Sequence, residues 1–371
     1  MSEHAVIAPS SLATIVECPG SLALSRANPQ PESDSEKEGR IAHHVAMLYA
    51  TAEPGDHYPL LSDVIDGVRV TEEMIAGAKM YAEALEGFAG HAEQRVDIQR
   101  IHPTLCWGTP DFWQYSPTTK VLRVTDYKFG FLYVDVFENW QLIAYAAGLI
   151  DELVASRRAA EFEIIVELVI VQPRCYSADS PVRTWTTSAT NLRIYVNRAF
   201  QAVADALAEN PPTKAGTHCL FCPGRAICNT AHKAGTSIIE YAGRVEALAH
   251  TPAELGLRLA LIHTAREMLK GLETGLEAQA MARIRKGENV PYFKIGYTQP
   301  RQQWSKPVAE VKLLGQMAGV ALTEESYALT PKQAIKAGID AAIISQYSTT
   351  PHGAAKLVPD DLSNAARIFQ R

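Results

Sequence analysis

The chain has 371 residues, of which 47% are hydrophobic and 20% charged, the balance of a globular protein with room for one large domain or two. No run of 18 or more apolar residues occurs, which argues against a membrane-spanning helix, and the first twenty residues lack the basic stretch and apolar core of a secretory leader, so a cytoplasmic protein is expected. The net charge of −6 is uneven: residues 240–371 hold 16 Lys and Arg against 13 Asp and Glu, and residues 1–239 hold 19 against 28, so bulk charge gives no support to nucleic-acid binding.

Pro9-Ser10-Ser11 opens a helical pattern over 9–26, and a polar, turn-rich stretch over 27–36 ends it. A helix is predicted over 36–50, carrying Gly39, His43 and His44. Another is predicted over 71–90, with Thr71 as N-cap and Glu72 and Glu73 in its first turn, where carboxylates meet the positive end of the helix dipole. Three strand-like segments follow at 93–101, 105–115 and 121–128, the last two joined as a hairpin by Pro117-Thr118-Thr119. A helix over 137–156 leads into the β-rich run EFEIIVELVIVQP (161–173), then a short strand at 181–187 and a helix at 189–209. Helix, three strands, helix, strand is the order of a sheet with helices packed on its faces. The expected fold class is α/β, a central mixed β-sheet flanked by helices, with a mainly helical C-terminal region.

Pro211-Pro212 breaks the chain ahead of a cysteine-rich segment. Thr251-Pro252-Ala253-Glu254 combines an N-cap with proline at the first helical position and glutamate at the third, the start of a helix to about residue 286. A further helix begins at Thr330-Pro331. A loose boundary near 235–250 divides the chain into residues 1–235 and 236–371.

The segment HCLFCPGRAICN spaces Cys219, Cys222 and Cys228 as C-x2-C-x5-C. Two thiolates three positions apart can bind one metal across a tight turn, and a third returns after a short loop. Four thiolates in a tetrahedral set bind zinc or an iron–sulfur cluster. The fourth must come from elsewhere; Cys18, followed by Pro19 and Gly20, has the context of a loop ligand, whereas Cys106 and Cys175 read as small buried residues. His218 with the three local cysteines is an alternative zinc set, and six unrelated buried cysteines is the plainest reading.

The strand KVLRVTDYKFG places Asp126 and Lys128 two positions apart, hence on one face. Fifteen residues upstream lies WGTPDFW, with Asp111; if the two strands pair as a hairpin, Asp111 and Asp126 meet at one end of the sheet. Two carboxylates and the Tyr127 carbonyl form the hard oxygen set that suits Mg²⁺ or Mn²⁺, one ion or two. A lysine beside them can orient a water or stabilise a phosphate, as metal-assisted phosphodiester cleavage requires. By itself a D-x-K pair is most often an exposed ion pair worth little. His43 offers a nitrogen ligand and Glu93 another carboxylate, each with a plain surface role as its rival. Gln141 and Tyr145 lie one helical turn apart and project from one face.

Together these residues resemble the RecB-like branch of the PD-(D/E)XK nucleases, and within it a phage-type family with a four-cysteine iron–sulfur cluster. The motifs that carry the resemblance are Cys18-Pro19-Gly20-Ser21, Glu38-Gly39-Arg40-Ile41-Ala42-His43, Glu93-Gln94, Gly108-Thr109-Pro110-Asp111, Asp126-Tyr127-Lys128-Phe129-Gly130, Asn139-Trp140-Gln141-Leu142 with Tyr145, and Cys219, Cys222 and Cys228. They run in order over residues 8–235. The resemblance implies that His43, Asp111, Asp126 and the Tyr127 carbonyl hold the metal, that Lys128 is the catalytic lysine, and that Gln141 and Tyr145 support the site or the DNA. It implies a [4Fe–4S] cluster on Cys18, Cys219, Cys222 and Cys228, with structural Zn²⁺ as the alternative. The implied activity is Mg- or Mn-dependent DNA cleavage, as an exonuclease in phage-type recombination, repair or end processing. Its partners would be DNA ends or single strands and a recombination or single-strand-annealing protein, with a homo-oligomer as a further option. The rival is an inactive DNA-binding or scaffold protein that keeps the fold. Arg40 departs from the family's small hydroxyl residue and is a candidate phosphate contact. Phase and spacing favour His43 over His44 as the ligand. The segment MARIRKGE and Arg301 are candidates for guiding DNA.

Overall fold

The computed structural model describes residues 5–51, 58–61, 63–175, 180–242 and 251–297, and beyond them 303–304, 306, 308–320, 322–324, 327–328, 330–349 and 355–359. The chain is α/β and divides into two compact units, Met1–Gly275 and Leu276–Arg371.

The N-terminal stretch is not one helix over 9–26. A 3-10 turn at Pro9–Ser11 leads into α1 (Leu12–Glu17), and the chain breaks at Cys18-Pro19-Gly20 before α2 (Ser21–Ala27). Pro19 has no N–H to continue the ladder, and Cys18 leaves helical space at φ −148°, ψ 88°. α3 (Asp34–Thr51) follows, then a short ladder of β1 (Val64–Ile65) and β2 (Val68–Arg69), then α4 (Glu72–Leu85). Thr71 caps α4 as its sequence context predicts, its side chain accepting from the Met74 N–H.

The strands predicted over 93–101 and 105–115 form as shorter pieces. β3 (His91–Ala92) pairs with β6 (Phe112–Ser116), whereas β4 (Val96–Asp97) and β5 (Trp107–Gly108) make a separate ladder. Glu93, with φ at +46°, sits outside β space, and Pro110 has no N–H to donate. β7 (Val121–Tyr127) folds back on β6 with Phe112 opposite Thr125. α5 (Trp140–Ala155) crosses over to β8 (Ile165–Val171), which runs parallel to β7, and β9 (Val182–Ser188) returns antiparallel before α6 (Ala189–Ala206). The five-stranded sheet has the order β3-β6-β7-β8-β9.

Alternation along the strands divides the core in two. Leu122, Val124, Val166, Leu168, Ile170, Trp113 and Tyr115 point to one face and pack with α1, α5 and α6. Phe112, Tyr127, Val169 and Val171 point to the other and pack with α3 and α4. β8 is apolar on both faces, which is why its sequence is a continuous apolar run rather than an alternating one. Each large side chain fully buried here contributes about 1.5–3 kcal/mol by removal from water.

α7 (Asn229–Ala242), where the sequence reading places no helix, is followed by α8 (Pro252–Arg285), within which the first unit ends at Gly275. The predicted capping box opens α8: the Thr251 N–H donates to Glu254 Oε2 at 2.8 Å and the Glu254 N–H donates to Thr251 Oγ1 at 3.3 Å. Arg283 and Arg285 lie in its last turn, and Arg301 lies outside the described residues.

In the second unit β10 (Phe293–Tyr297) and β11 (Gln303–Trp304) precede α9 (Val308–Ala318). A short ladder of β12 (Thr323–Glu324) and β13 (Tyr327–Ala328) follows, then α10 (Pro331–Lys336), α11 (Ala341–Tyr347), β14 (Ser348–Thr349) and β15 (Ala355–Pro359). β10 pairs antiparallel with β15 and β11 with β14. Val311, Leu314, Leu322, Ala334, Ile339 and Ile344 form its core. No helix among the described residues is long and apolar enough to cross a membrane.

Candidate active site

The β6–β7 hairpin ends at Asp111 and Asp126. With Phe112 opposite Thr125, the antiparallel register sets Asp111 alongside Asp126. β7 turns its even-numbered side chains toward α5, so Asp126 and, just past the strand, Lys128 share that side. Asn139 fixes the phase of α5 by accepting from the Leu142 N–H at 3.2 Å, which brings Gln141 over the end of β7. The Gln141 Nε2 donates to Asp126 Oδ1 at 3.0 Å, and the Lys128 Nζ donates to Gln141 Oε1 at 3.0 Å. Lys128 Nζ also stands 2.9 Å from Asp126 Oδ2, to which no donor is aligned for a hydrogen bond.

Asp111 is held from a different direction. Its Oδ2 accepts from the Tyr127 N–H at 2.7 Å and lies 3.5 Å from His43 Nδ1. His43 reaches it from α3, its ring edge-on to that of Tyr127 at 5.3 Å between centroids. The adjacent His44 is exposed. Tyr145, one turn past Gln141, is buried against Gly108: a Cβ there would lie 2.9 Å from Tyr145 Cε1 and 3.0 Å from Pro9 Cγ. Only glycine admits the ring this close, which gives the Gly108 of the motif a physical reason.

Burial dominates the electrostatics, and charge partners then set the direction. Burial disfavours the His43 imidazolium, but the charge and hydrogen bond of Asp111, with Asp126 behind them, outweigh it and raise its pKa. The Asp111 carboxyl is pushed up by burial and pulled further down by His43, the Tyr127 N–H and Lys128, so it ionises more readily than usual. Asp126, 2% exposed, keeps a raised pKa: burial and the Asp111 charge outweigh Lys128. Lys128 is held protonated by Asp126 against its own burial. Burial raises the Tyr145 phenol too, against a hydrogen bond from Gln141. Each of the four charged groups feels the others, so they share one neighbourhood.

Glu93, expected on a strand, sits instead in the bend between β3 and β4. Its N–H donates to the Asp111 carbonyl at 3.3 Å, and its side chain is exposed. Arg40 turns to Glu32 (3.0 Å) and Asp66 (2.9 Å).

The cysteines also converge. Cys18, at the C-terminal end of α1, is buried with Cys219, Cys222 and Cys228. Burial first, and then the neighbouring sulfurs, raise the thiol pKa values of Cys219 and Cys222; Cys18 and Cys228 are among those neighbours for both. Backbone donors point at the sulfurs: the Lys214 N–H to Cys18 Sγ at 3.3 Å and the Gly216 N–H to Cys219 Sγ at 3.4 Å. The ring Nε2 of His218 is engaged 2.8 Å from the Lys214 carbonyl oxygen. Cys106 lies in the main core, bridged to Ile7, and Cys175 follows β8.

A family profile described as "Protein of unknown function (DUF2800)" matches residues 4–362. The chain belongs to the DUF2800 family. Two solved structures bear a loose likeness to this DUF2800 chain. The crystal structure of SSO0001 is 13% identical, covers 62% of this chain and 89% of its own, and has a TM-score of 0.33. The crystal structure of a phage related exonuclease from Haemophilus somnus 129PT is 15% identical, covers 55% of this chain and 94% of its own, and has a TM-score of 0.22.

The sequence reading misses several residues around the site of the DUF2800 chain. Arg174 donates to Glu38 Oε1 at 2.8 Å and to Glu73 Oε2 at 2.8 Å, tying α3 and α4 to the end of β8. Glu38 belongs to the motif that carries His43, and this bond gives it a task. Gln172 and Arg183 brace the loop after Lys128. Their signal was available: Gln172-Pro173-Arg174 puts polar groups directly behind the most buried strand, where each needs a partner.

Proposed function

We propose that this chain is a divalent-metal-dependent DNA nuclease of the RecB-like kind, cutting phosphodiester bonds at DNA ends. The reading is carried by one observation: His43, Asp111, Asp126 and Lys128, from three separate segments, meet at the end of the β6–β7 hairpin under the brace of Gln141. Charges gathered half-buried around a fully buried Asp126 are costly as architecture alone, which favours a functional reason for them.

The donor set fits a hard divalent cation. Two carboxylates with an imidazole are suitable ligands, and Asp126 Oδ2 is buried with only the Lys128 ammonium beside it. Among the described residues no three such side chains already stand in metal-binding geometry; Lys128 neutralises Asp126 in the arrangement seen. His43, Asp111, Asp126 and the Tyr127 carbonyl would hold the ion, which when bound supplies Lewis acidity at a phosphate. Lys128 would orient the attacking water and offset charge on the phosphate. Gln141 keeps the lysine aimed, and Asn139 and Gly108 set the helix and ring behind it.

No three of the cysteines already stand in metal-binding geometry among the described residues, but their chemistry suits a thiolate-bound group, since buried sulfurs with N–H donors are the surroundings such ligands take. A [4Fe–4S] cluster is the group we propose, with Zn²⁺ as its rival. Held by Cys18 and the Cys219–Cys228 loop, it would tie the N-terminal segment to the end of the nuclease region.

The Lys128–Gln141–Asp126 contacts also suit an inactive DNA-binding protein, because they are self-sufficient without metal. End-labelled linear and closed circular DNA, incubated with Mg²⁺ or Mn²⁺, separates the two. The expected result is metal-dependent loss of linear DNA, abolished in Asp126→Ala and slowed about 10²-fold or more in Lys128→Ala. Equal cutting by wild type and Lys128→Ala would remove the site assignment.

A further inference from the structure

The loop between β7 and α5 brings large apolar side chains to the surface. Phe131 is 62% exposed, Leu132 65%, Tyr133 42% and Phe137 56%. Connecting loops are usually polar, and a cluster of exposed rings marks a binding surface. The loop is also firmly held. The buried Gln172 donates through Nε2 to the carbonyls of Gly130 (2.8 Å) and Leu132 (2.7 Å) and accepts at Oε1 from the Val134 N–H (3.2 Å). Arg183, 7% exposed, donates to the Val134 carbonyl at 2.9 Å and to Gln172 Oε1 at 2.7 Å. Backbone fixed this way keeps the rings presented outward.

Cations stand among the rings. The Arg174 guanidinium lies 3.8 Å from the Phe129 ring centroid and 4.5 Å from that of Phe131, and Arg183 lies 4.8 Å from that of Tyr133. Arg174 is offset by Glu38 and Glu73. The described hydrogen-bond partners of Arg183 are neutral oxygens of Ser180, Val134 and Gln172, and its buried guanidinium backs the Tyr133 ring. Exposed rings backed by arginine, beginning three residues past Lys128 at Phe131, are a means by which proteins bind unpaired bases. A blunt duplex hides its base faces and cannot use them.

Building on the nuclease reading above, we propose that residues Phe131–Phe137 are a stacking platform for unpaired bases, so that the strand delivered to Asp126 and Lys128 is single-stranded or frayed at its end. The test is fluorescence anisotropy of the full-length protein in metal-free buffer, where no cleavage occurs, with a labelled oligo(dT) and a blunt duplex of the same length. The oligonucleotide binds at least tenfold more tightly than the duplex. Phe131→Ala/Phe137→Ala weakens oligonucleotide binding about tenfold or more with an unchanged melting temperature, and Phe131→Trp/Phe137→Trp retains it. Equal binding of the two DNAs, or an alanine variant that binds as wild type while losing self-association or a protein contact, overturns the platform. Strand preference without any metal-dependent cutting would sink the nuclease reading and leave the platform standing; cutting unaffected by the alanine variant does the reverse.

Discussion

At the scale of single residues, the contacts that matter are those in which one side chain serves two others. Gln141 is such a group, because one amide both donates to Asp126 and accepts from Lys128. Glu161 is another, away from the candidate site. It accepts from Arg193 at 2.8 and 2.9 Å and from Arg100 at 3.1 Å, and Arg100 is paired in turn with Asp151. The hydrogen bond from Arg193, set against modest burial and joined by Arg100, holds the Glu161 carboxyl down to about 2. A carboxyl depressed in the folded state stabilises it above the unfolded pKa of about 4.3, and that contribution fades as the pH falls toward 2. Glu161→Gln therefore lowers stability at pH 7, by about 2 kcal/mol after allowance for solvent screening. The variant and wild type converge near pH 2, which urea unfolding at several pH values would measure.

At the scale of elements, α5 is the part on which the rest depends. It is the crossover between the parallel strands β7 and β8 and carries both Gln141 and Tyr145. Its position is set by close approach to β4: a Cβ on Gly148 would lie 2.6 Å from Val96 Cγ1 and 2.7 Å from the Asp97 carbonyl oxygen. Gly148→Ala would gain about 1 kcal/mol of helix propensity in an open helix. Here it forces the helix away from a fixed carbonyl, so a net loss of about 1–3 kcal/mol is expected. Thermal unfolding reads the loss, and a matching fall in cleavage would report displacement of Gln141. The sequence makes α5 legible through its apolar content and the Asn139 cap. It does not reveal the fragmentation of β3 to β6, because the run reads as β throughout and only the left-handed Glu93 and the placement of Pro110 divide it.

At the scale of the molecule, the cysteine group joins parts of the first unit that are far apart in sequence. Cys18 and Cys228 enclose about 200 residues, and the proposed thiolate-bound group, by closing a loop of that length, would restrain the unfolded chain by up to about 5 kcal/mol. α8 packs over the cysteine segment, where a Cβ on Gly271 would lie 3.0 Å from Leu220 Cα. Cys222→Ser is expected to lose absorbance near roughly 400 nm, the region of iron–sulfur chromophores, and to lower the melting temperature. A colourless wild-type protein carrying one equivalent of zinc would exchange the proposed cluster for its rival and keep the stabilising role.

By itself the sequence determined what periodicity and local chemistry can encode. That includes the order of helices and strands, the caps at Thr71 and Thr251, the hairpin that sets Asp111 beside Asp126, and the shared side of Asp126 and Lys128. Each follows from interactions a few residues apart or from alternation along a strand. Only the tertiary structure decided how the run over 93–115 divides into β3 to β6, and that Gln172, Arg174 and Arg183 brace the surroundings. The bracing contacts span 42 positions from Gln172 to Gly130, 49 from Arg183 to Val134 and 136 from Arg174 to Glu38, and no local pattern records where a distant partner will arrive.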